Sequence, residues 1–283
     1  MNVYALGASK NIGYFATVRL LAKGATVTYL LRKPEVFDED ETIRSYVKAG
    51  KARLVKGDAL SIDDVARGWA EAQAASESGH VDAVLFTVGG ALHHFSVISG
   101  AHIFPEDICS VALLNVMRTI PANQRAAPAQ PKIIALSTMG STKASHRRLP
   151  FVMKIFYSWL LTPPHVDKFC MERVAAYCAG WPFPDETYHA DLLPKGWKTL
   201  EGMPAEGSFK SIAILRPAWL TDGPAKADEV EVENKGKRPY RVVVGDKDSL
   251  GYSISRKDVG HFIAEEAFEK WGNWEGKFTA LFY

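Results

Sequence analysis

Seven residues near the amino end, Gly7-Ala8-Ser9-Lys10-Asn11-Ile12-Gly13, carry the clearest chemistry in the chain. They lie between a short apolar run, Asn2–Leu6, and a helical pattern, Tyr14–Ala22. A strand, a tight turn and a helix N-terminus make an anion site, because unpaired backbone N–H groups and the positive end of the helix dipole converge there. The anion expected is a dinucleotide pyrophosphate, held by Gly7, Ser9, Lys10, Asn11, Ile12 and Gly13. The glycine pattern is incomplete: a G-x-x-x-G-x-G spacing would place glycine where Asn11 stands. Asparagine is among the side chains that best tolerate the left-handed region, so the turn can survive the exchange.

The next strand pattern, Ala25–Leu31, ends in Arg32-Lys33-Pro34. An NAD site carries an acidic residue near this point to bond the adenosine ribose. Here two cations stand instead. Arg32 can grip a 2′-phosphate bidentately, Lys33 adds a point charge, and Lys10 is a third cation within the turn. The cofactor expected is NADP(H).

These residues need a frame, and the chain's periodicity supplies one. Strands are predicted at Ala52–Lys56, Val81–Thr87 and Pro131–Leu136, with helices at about Glu39–Ala49, Ser61–Ala75 and Pro105–Asn123. Near-continuous apolar strands alternating with helices imply a parallel sheet covered on both faces, an α/β Rossmann-type, doubly wound arrangement. Ligands of such sheets sit outside the carboxyl ends of the strands, so the residues following each strand matter most. The second half is less regular. A strand is predicted at Ser211–Leu215, a charged surface loop over 226–239, a strand at Tyr240–Val244, a helix at Arg256–Trp271 and a strand at Lys277–Phe282. The whole of 1–283 is read as one domain. Residues 151–283 contribute a small C-terminal substrate-binding region, and the Trp- and Pro-rich stretch 181–209 is a lid or an insertion.

Bulk properties exclude other classes. A net charge of +2 argues against nucleic acid or an anionic membrane as main partner. Apolar stretches fall short of the roughly 20 residues that span a bilayer. The N-terminus lacks the basic-then-apolar order of a secretory signal, so a cytoplasmic location is expected. Cys109, Cys170 and Cys178 match no metal spacing and read as reduced thiols, and His93-His94 has no third ligand nearby; no metal site is expected.

With these residues in view, the chain resembles the short-chain dehydrogenase/reductase superfamily, nearest its atypical, NmrA-like NAD(P)H-binding group. The likeness rests on the Gly7–Gly13 turn, Gly57-Asp58, Val88-Gly89-Gly90, Ser137-Thr138, the phrase Leu215–Gly223 and the segment Ile254–Gly260. It implies that Asp58 bonds the adenine amino group with Ala59 beside the ring. It implies that Val88, Gly89 and Gly90 pass close to the adenosine ribose, and that Pro217, Ala218, Trp219 and Leu220 flank the nicotinamide.

The family's chemistry uses a Tyr-x-x-x-Lys pair with a Ser. The match to that spacing here is Tyr29 with Lys33, on the second strand, where it cannot face the nicotinamide. The resemblance instead points to Lys168 as the ribose-binding lysine, and Pro164 occupies the tyrosine's place. Candidate catalytic groups are therefore Lys168, Ser137, Thr138, His165 and Tyr157. Two functions follow. One is an NADPH-dependent reductase of a carbonyl or conjugated alkene in an apolar small molecule, walled by Phe151–Leu161 and 181–209. The other is an NADP(H)-binding redox sensor or partner protein without turnover. Oligomeric state is not encoded in these patterns.

Overall fold

The computed structural model describes residues 1–90, 92–96, 100–139, 162–183, 191–233, 239–245 and 251–283. Its strands are β1 (Asn2–Leu6), β2 (Thr26–Leu31), β3 (Ala52–Lys56), β4 (Ala83–Phe86), β5 (Leu92–Ser96), β6 (Gly100–Ile103), β7 (Lys132–Leu136), β8 (Ile212–Pro217), β9 (Trp219–Thr221), β10 (Arg241–Val244), β11 (Ser253–Ser255) and β12 (Phe278–Phe282). Its helices are α1 (Asn11–Ala22), α2 (Glu41–Lys48), α3 (Ile62–Ala74), α4 (Ile108–Thr119), α5 (Thr162–Ala179), α6 (Lys226–Glu233) and α7 (Arg256–His261).

Every residue of β1 is buried, and its side chains divide between two cores. Tyr4 and Leu6 join Trp69 of α3, Leu113 of α4 and Met171 of α5. Val3 and Ala5 join Leu20 of α1 and Val259 of α7. A strand whose two faces both meet helices has no use for a polar alternation, which is why Val3–Leu6 is apolar throughout, while Asn2 at the strand start donates to the Ala72 and His80 carbonyls. The eight-stranded sheet runs β3-β2-β1-β4-β7-β8-β12-β10. All neighbours are parallel except β10, which lies antiparallel on β12. This is the doubly wound sheet expected from the sequence. Strand order reverses between β1 and β4, so their carboxyl ends bound the crevice where such sheets take ligands.

The helices are seated by specific contacts. Ser61 caps α3 by accepting from the Asp64 N–H at 3.3 Å, and Asp63 and Asp64 complement the helix dipole. Helix α7 crosses α1 at Gly260, where a Cβ would lie 2.8 Å from the Phe15 Cβ, so only a bare backbone fits. Ser255 caps α7 by accepting from the Asp258 N–H at 3.0 Å. The fully buried Asp258 carboxylate accepts from the Lys226 and Ala227 amides at 3.2 and 2.9 Å, and also from Ser255 Oγ and the Tyr283 hydroxyl. The Ile254–Gly260 segment is therefore a structural clamp.

Several boundaries differ from expectation. Residues 226–233 form α6, not a loop: their high charge hides any period, and the clamp on the helix start comes from Asp258, distant in sequence. The helix expected over Arg256–Trp271 is regular only to His261; a π turn (Phe262–Ala267) and a 3-10 turn (Trp271–Asn273) follow. The helix expected from about Glu39 begins at Glu41 and is preceded by a 3-10 turn at Pro34–Phe37. The antiparallel β5–β6 hairpin and the parallel β9–β11 pair carry too few residues each to show a pattern. Among the described residues of 181–209, Leu193, Trp197 and Phe209 are buried in the core beside α4 and α5, and Trp197 meets Tyr177 edge-on at 5.1 Å. These described residues pack on the core; residues 184–190 lie outside the described residues.

Two outcomes follow. Asp258→Ala strands two buried amides and two hydroxyls, and urea unfolding should show a loss of about 2–4 kcal/mol. The three cysteines are free and buried. Burial pushes the Cys109 and Cys178 thiols up to about 12 and raises Cys170 in the same direction. A thiol whose proton is held more tightly in the folded state contributes stability that is whole below the ordinary thiol value and is lost as pH rises through the folded value. Unfolding free energy should therefore fall as pH climbs from about 9 toward 12. At pH 8 the native thiols should stay silent to dithionitrobenzoate, and all should react in guanidinium.

Candidate active site at the carboxyl edge of the sheet

The turn after β1 is bare backbone pressed onto β4. Gly7 has φ +76°, and a Cβ there would lie 2.5 Å from the Val88 nitrogen. A Cβ on Gly13 would strike the Thr87 hydroxyl and lie 2.6 Å from the Ala8 Cα. Both glycines are thus required by close approach. Asn11 takes φ 57°, the left-handed conformation that its type permits. Lys10, which precedes α1, is extended and makes no side-chain cap, and the first turn of α1 holds no acidic residue. The helix start therefore presents amide hydrogens and positive potential with no carboxylate to answer them. Gly7, Lys10 and Asn11 are exposed, Ser9 is half-buried, and Ile12 is buried beneath them.

A cleft of about 920 Å³ runs along β3 and α3 to the end of β2, lined among others by Arg32, Arg53, Lys56, Asp58, Arg67 and Glu71. Arg32 and Lys33 are exposed. Asp58 Oδ1 accepts from the Leu60 N–H at 3.0 Å, and the Asp58 N–H donates to Asp64 Oδ2 at 2.8 Å. That amide, with Arg67, holds the Asp64 carboxyl below the usual carboxylate range. Asn115 of α4 donates to the Ala59 and Leu60 carbonyls at 3.1 and 3.0 Å, pinning the loop that carries Asp58 and Ala59.

Between β4 and β7 stands Lys168. Its Nζ donates to the Val88 carbonyl at 2.8 Å and to the Leu136 carbonyl at 2.7 Å. Those atoms close two neighbouring strands, paired through Phe86 and Ala135, so the ammonium sits on the sheet edge itself. An ammonium has three donors, and these two carbonyls take two of them. Beside it, the Ser137 hydroxyl is buried with no hydrogen-bond partner among the described residues. A buried, unanswered hydroxyl at a ligand-bearing edge is suited to a bound oxygen. Thr138 is half-buried and donates to the Met139 carbonyl at 3.1 Å.

Helix α5 is held by three acidic or basic side chains. Asp167, fully buried, accepts from the Cys109 and Ser110 amides at 2.7 and 2.8 Å and so caps α4. Lys168 reaches the strand ends. Glu172, also fully buried, meets Arg216 of β8 in a two-pronged pair, with 2.8 Å to Nε and 2.7 Å to Nη2. Glu172 therefore pairs with Arg216, one turn beyond Lys168, and fixes the helix to the sheet. His165 is half-buried in the first turns of α5 and has a partner of its own. The thiol of Cys109 donates to the Val88 carbonyl at 3.3 Å.

The segment after β8 completes the edge. The Met139 N–H donates to the Pro217 carbonyl at 3.0 Å and the Ala218 N–H to Leu281 at 2.9 Å, so Pro217 and Ala218 lie against the ends of β7 and β12. Trp219 is 48% exposed, and Leu220 pairs with Ile254 across the β9–β11 ribbon. Val88 is buried, Gly89 is exposed, and Gly90 packs against Ile103, 2.7 Å from where its Cβ would stand.

The sequence-predicted residues after β1, β2, β3, β4, β7 and β8 thus share one edge of the sheet with Lys168. Tyr157 and the Phe151–Leu161 wall lie outside the described residues. Tyr29, of the one Tyr-x-x-x-Lys match, is buried against Phe37 in the α1-side core. Sequence reasoning missed Asn115, Asp167 and the role of Arg216. Each acts on an element far away in sequence, and only Arg216, inside the phrase Leu215–Gly223, left any trace.

No family model matches the chain. It is 28% identical over 225 residues to Reductase pytE from Aspergillus terreus, covering 78% of this chain and 73% of the relative. Among solved structures it is similar to ChuY, an anaerobillin reductase from Escherichia coli O157:H7. That match has 17% identity and a TM-score of 0.56, over 99% of this chain and 96% of the other. It is also similar to a Rossmann-fold NAD(P)-binding family protein from Shigella flexneri, at 15% identity and a TM-score of 0.55, over 99% and 92% of the two chains. The two solved structures share this chain's fold, and the curated relative is a reductase. By its strand order and its likeness to these structures, the chain has a Rossmann-type, doubly wound fold.

Proposed function

We propose that this protein is an NADPH-dependent oxidoreductase that reduces a carbonyl or conjugated alkene in an apolar small molecule. The observation that carries the reading is the Lys168 ammonium, fastened to the Val88 and Leu136 carbonyls, with the Ser137 hydroxyl next in the chain having no hydrogen-bond partner among the described residues. A positive charge and a free hydroxyl on a Rossmann edge are what a ribose and a reacting oxygen require. The name of the Aspergillus terreus relative, a reductase, supports the same class.

The chain's own groups fit a dinucleotide. The amides of Gly7–Gly13 would hold the pyrophosphate, since Gly7 and Gly13 have no room for side chains and the helix start has no acid. Arg32 and Lys33, with Lys10, would take the 2′-phosphate. Asp58 and Ala59 would meet the adenine, Val88–Gly90 the adenosine ribose, and Pro217–Leu220 the nicotinamide. Lys168 would bond the second ribose and hold a proton at Nζ, while Ser137 and Thr138 would orient the substrate oxygen. The bound cofactor would supply hydride. His165 and Tyr157 remain the other candidate donors of a proton, because Pro164 stands in the tyrosine's usual place. That substitution also favours a second reading, an NADP(H)-binding redox sensor without turnover. Three buried, unpaired thiols suit a reducing compartment, and we place the protein in the cytoplasm.

Calorimetry tests the cofactor assignment. Arg32→Ala should weaken NADPH by roughly 10- to 100-fold, the loss of one or two charge-assisted hydrogen bonds, and leave NADH within about twofold. Equal losses for both nucleotides would refute the 2′-phosphate role. Lys168→Met should weaken both nucleotides alike. NADPH oxidation with a panel of apolar ketones and enones separates the two readings: turnover identifies a reductase, and tight binding with no turnover a sensor.

A further inference from the structure

We propose that Arg216 is a positioning residue for Lys168, acting through Glu172; its nucleotide readout rests on the function proposed above. Lys168 and Glu172 are four residues apart, one turn along the same face of α5. The acceptors of Lys168 are main-chain carbonyls at the ends of β4 and β7, fixed by the sheet's own ladder. A lysine side chain is a flexible stem, and it reaches both acceptors within bonding distance only while its helix keeps one height and one rotation over the sheet.

Arg216 sets both. Its two prongs lie 2.8 and 2.7 Å from the two Glu172 oxygens, a planar match that fixes orientation as well as distance. Its guanidinium is itself held over the Phe278 ring of β12, 4.1 Å from the centroid. The sheet therefore grips α5 at two points one turn apart, once through Arg216 and Glu172 and once through Lys168. Asp167 fastens the same helix to α4, not to the sheet, and cannot do this work. Stability alone does not call for a charged pair here, because well-packed apolar residues commonly hold a helix as firmly. An apolar contact, however, allows sliding and rotation that a fork does not.

Two variants test this in the full-length protein. Arg216→Lys keeps the charge and loses the fork. The double change Glu172→Gln, Arg216→Gln removes both charges, so that neither is left buried and unpaired. Each is characterised by melting temperature, by calorimetric titration with NADPH, and by the rate at which acetic anhydride labels Lys168, read by peptide mass spectrometry. In whichever variant melts near wild type, Lys168 labelling should rise several-fold and NADPH affinity fall at least about tenfold, the scale of an ångström-level misplacement. In a Lys168→Met background, Arg216→Lys should cause no further loss of affinity, because its effect is already spent. Wild-type labelling in a folded variant, or losses that multiply with Lys168→Met, would overturn the proposal. If wild-type protein binds no NADPH, the function proposed above fails, and the labelling rates still decide the role of Arg216.

Discussion

The Lys168 ammonium is the point on which the carboxyl edge depends. It draws together a helix and two strands by donating to carbonyls that each close a strand and have no further ladder to join. Hydrogen bonds from a charged donor are worth about 1.5–3 kcal/mol each, about twice a neutral one. Their value here is mostly one of place. The same pair of contacts defines the floor of the edge and spans the ends of β4 and β7. The Val88 carbonyl also receives the Cys109 thiol, so the start of α4 is registered to the same atom.

Around that ammonium the charges are arranged so that none is buried alone. Asp167 answers two amides of α4, Glu172 answers Arg216, and Asp258 answers two amides and two hydroxyls at the far side of the sheet. An ionised carboxylate cannot leave water without such partners. Each of these acids ties two elements distant in sequence, and so they act as the cross-links of a fold that contains no disulfide among its three cysteines.

The parts of this arrangement that could be read in the sequence are those written locally. The β1–turn–α1 unit announces itself through an apolar run, two glycines and a helical period, and even the exchange of glycine for Asn11 was interpretable from its left-handed tolerance. Continuous apolar strands gave the parallel sheet for the same reason. Pairings between remote residues left no local mark. The clamp of Asp258 on α6, the cap of Asp167 on α4 and the fork of Arg216 on Glu172 appear only once the chain is folded. Helix α6 differs from the loop that its charge suggests because its start is held by the distant Asp258 and not by a period of its own.

The turn after β1 and the loop after β2 differ in how freely they can change. Gly7 and Gly13 are wedged against β4, so almost any replacement there disturbs the whole sheet. Arg32 and Lys33 stand in solvent at a strand end. Evolution, or a protein engineer, can therefore rewrite the loop after β2 one residue at a time while the grip at the centre of the edge stays unaltered. Under the function proposed above, a preference for one nucleotide over its phosphorylated twin would be a peripheral trait, detachable from the architecture that bears it.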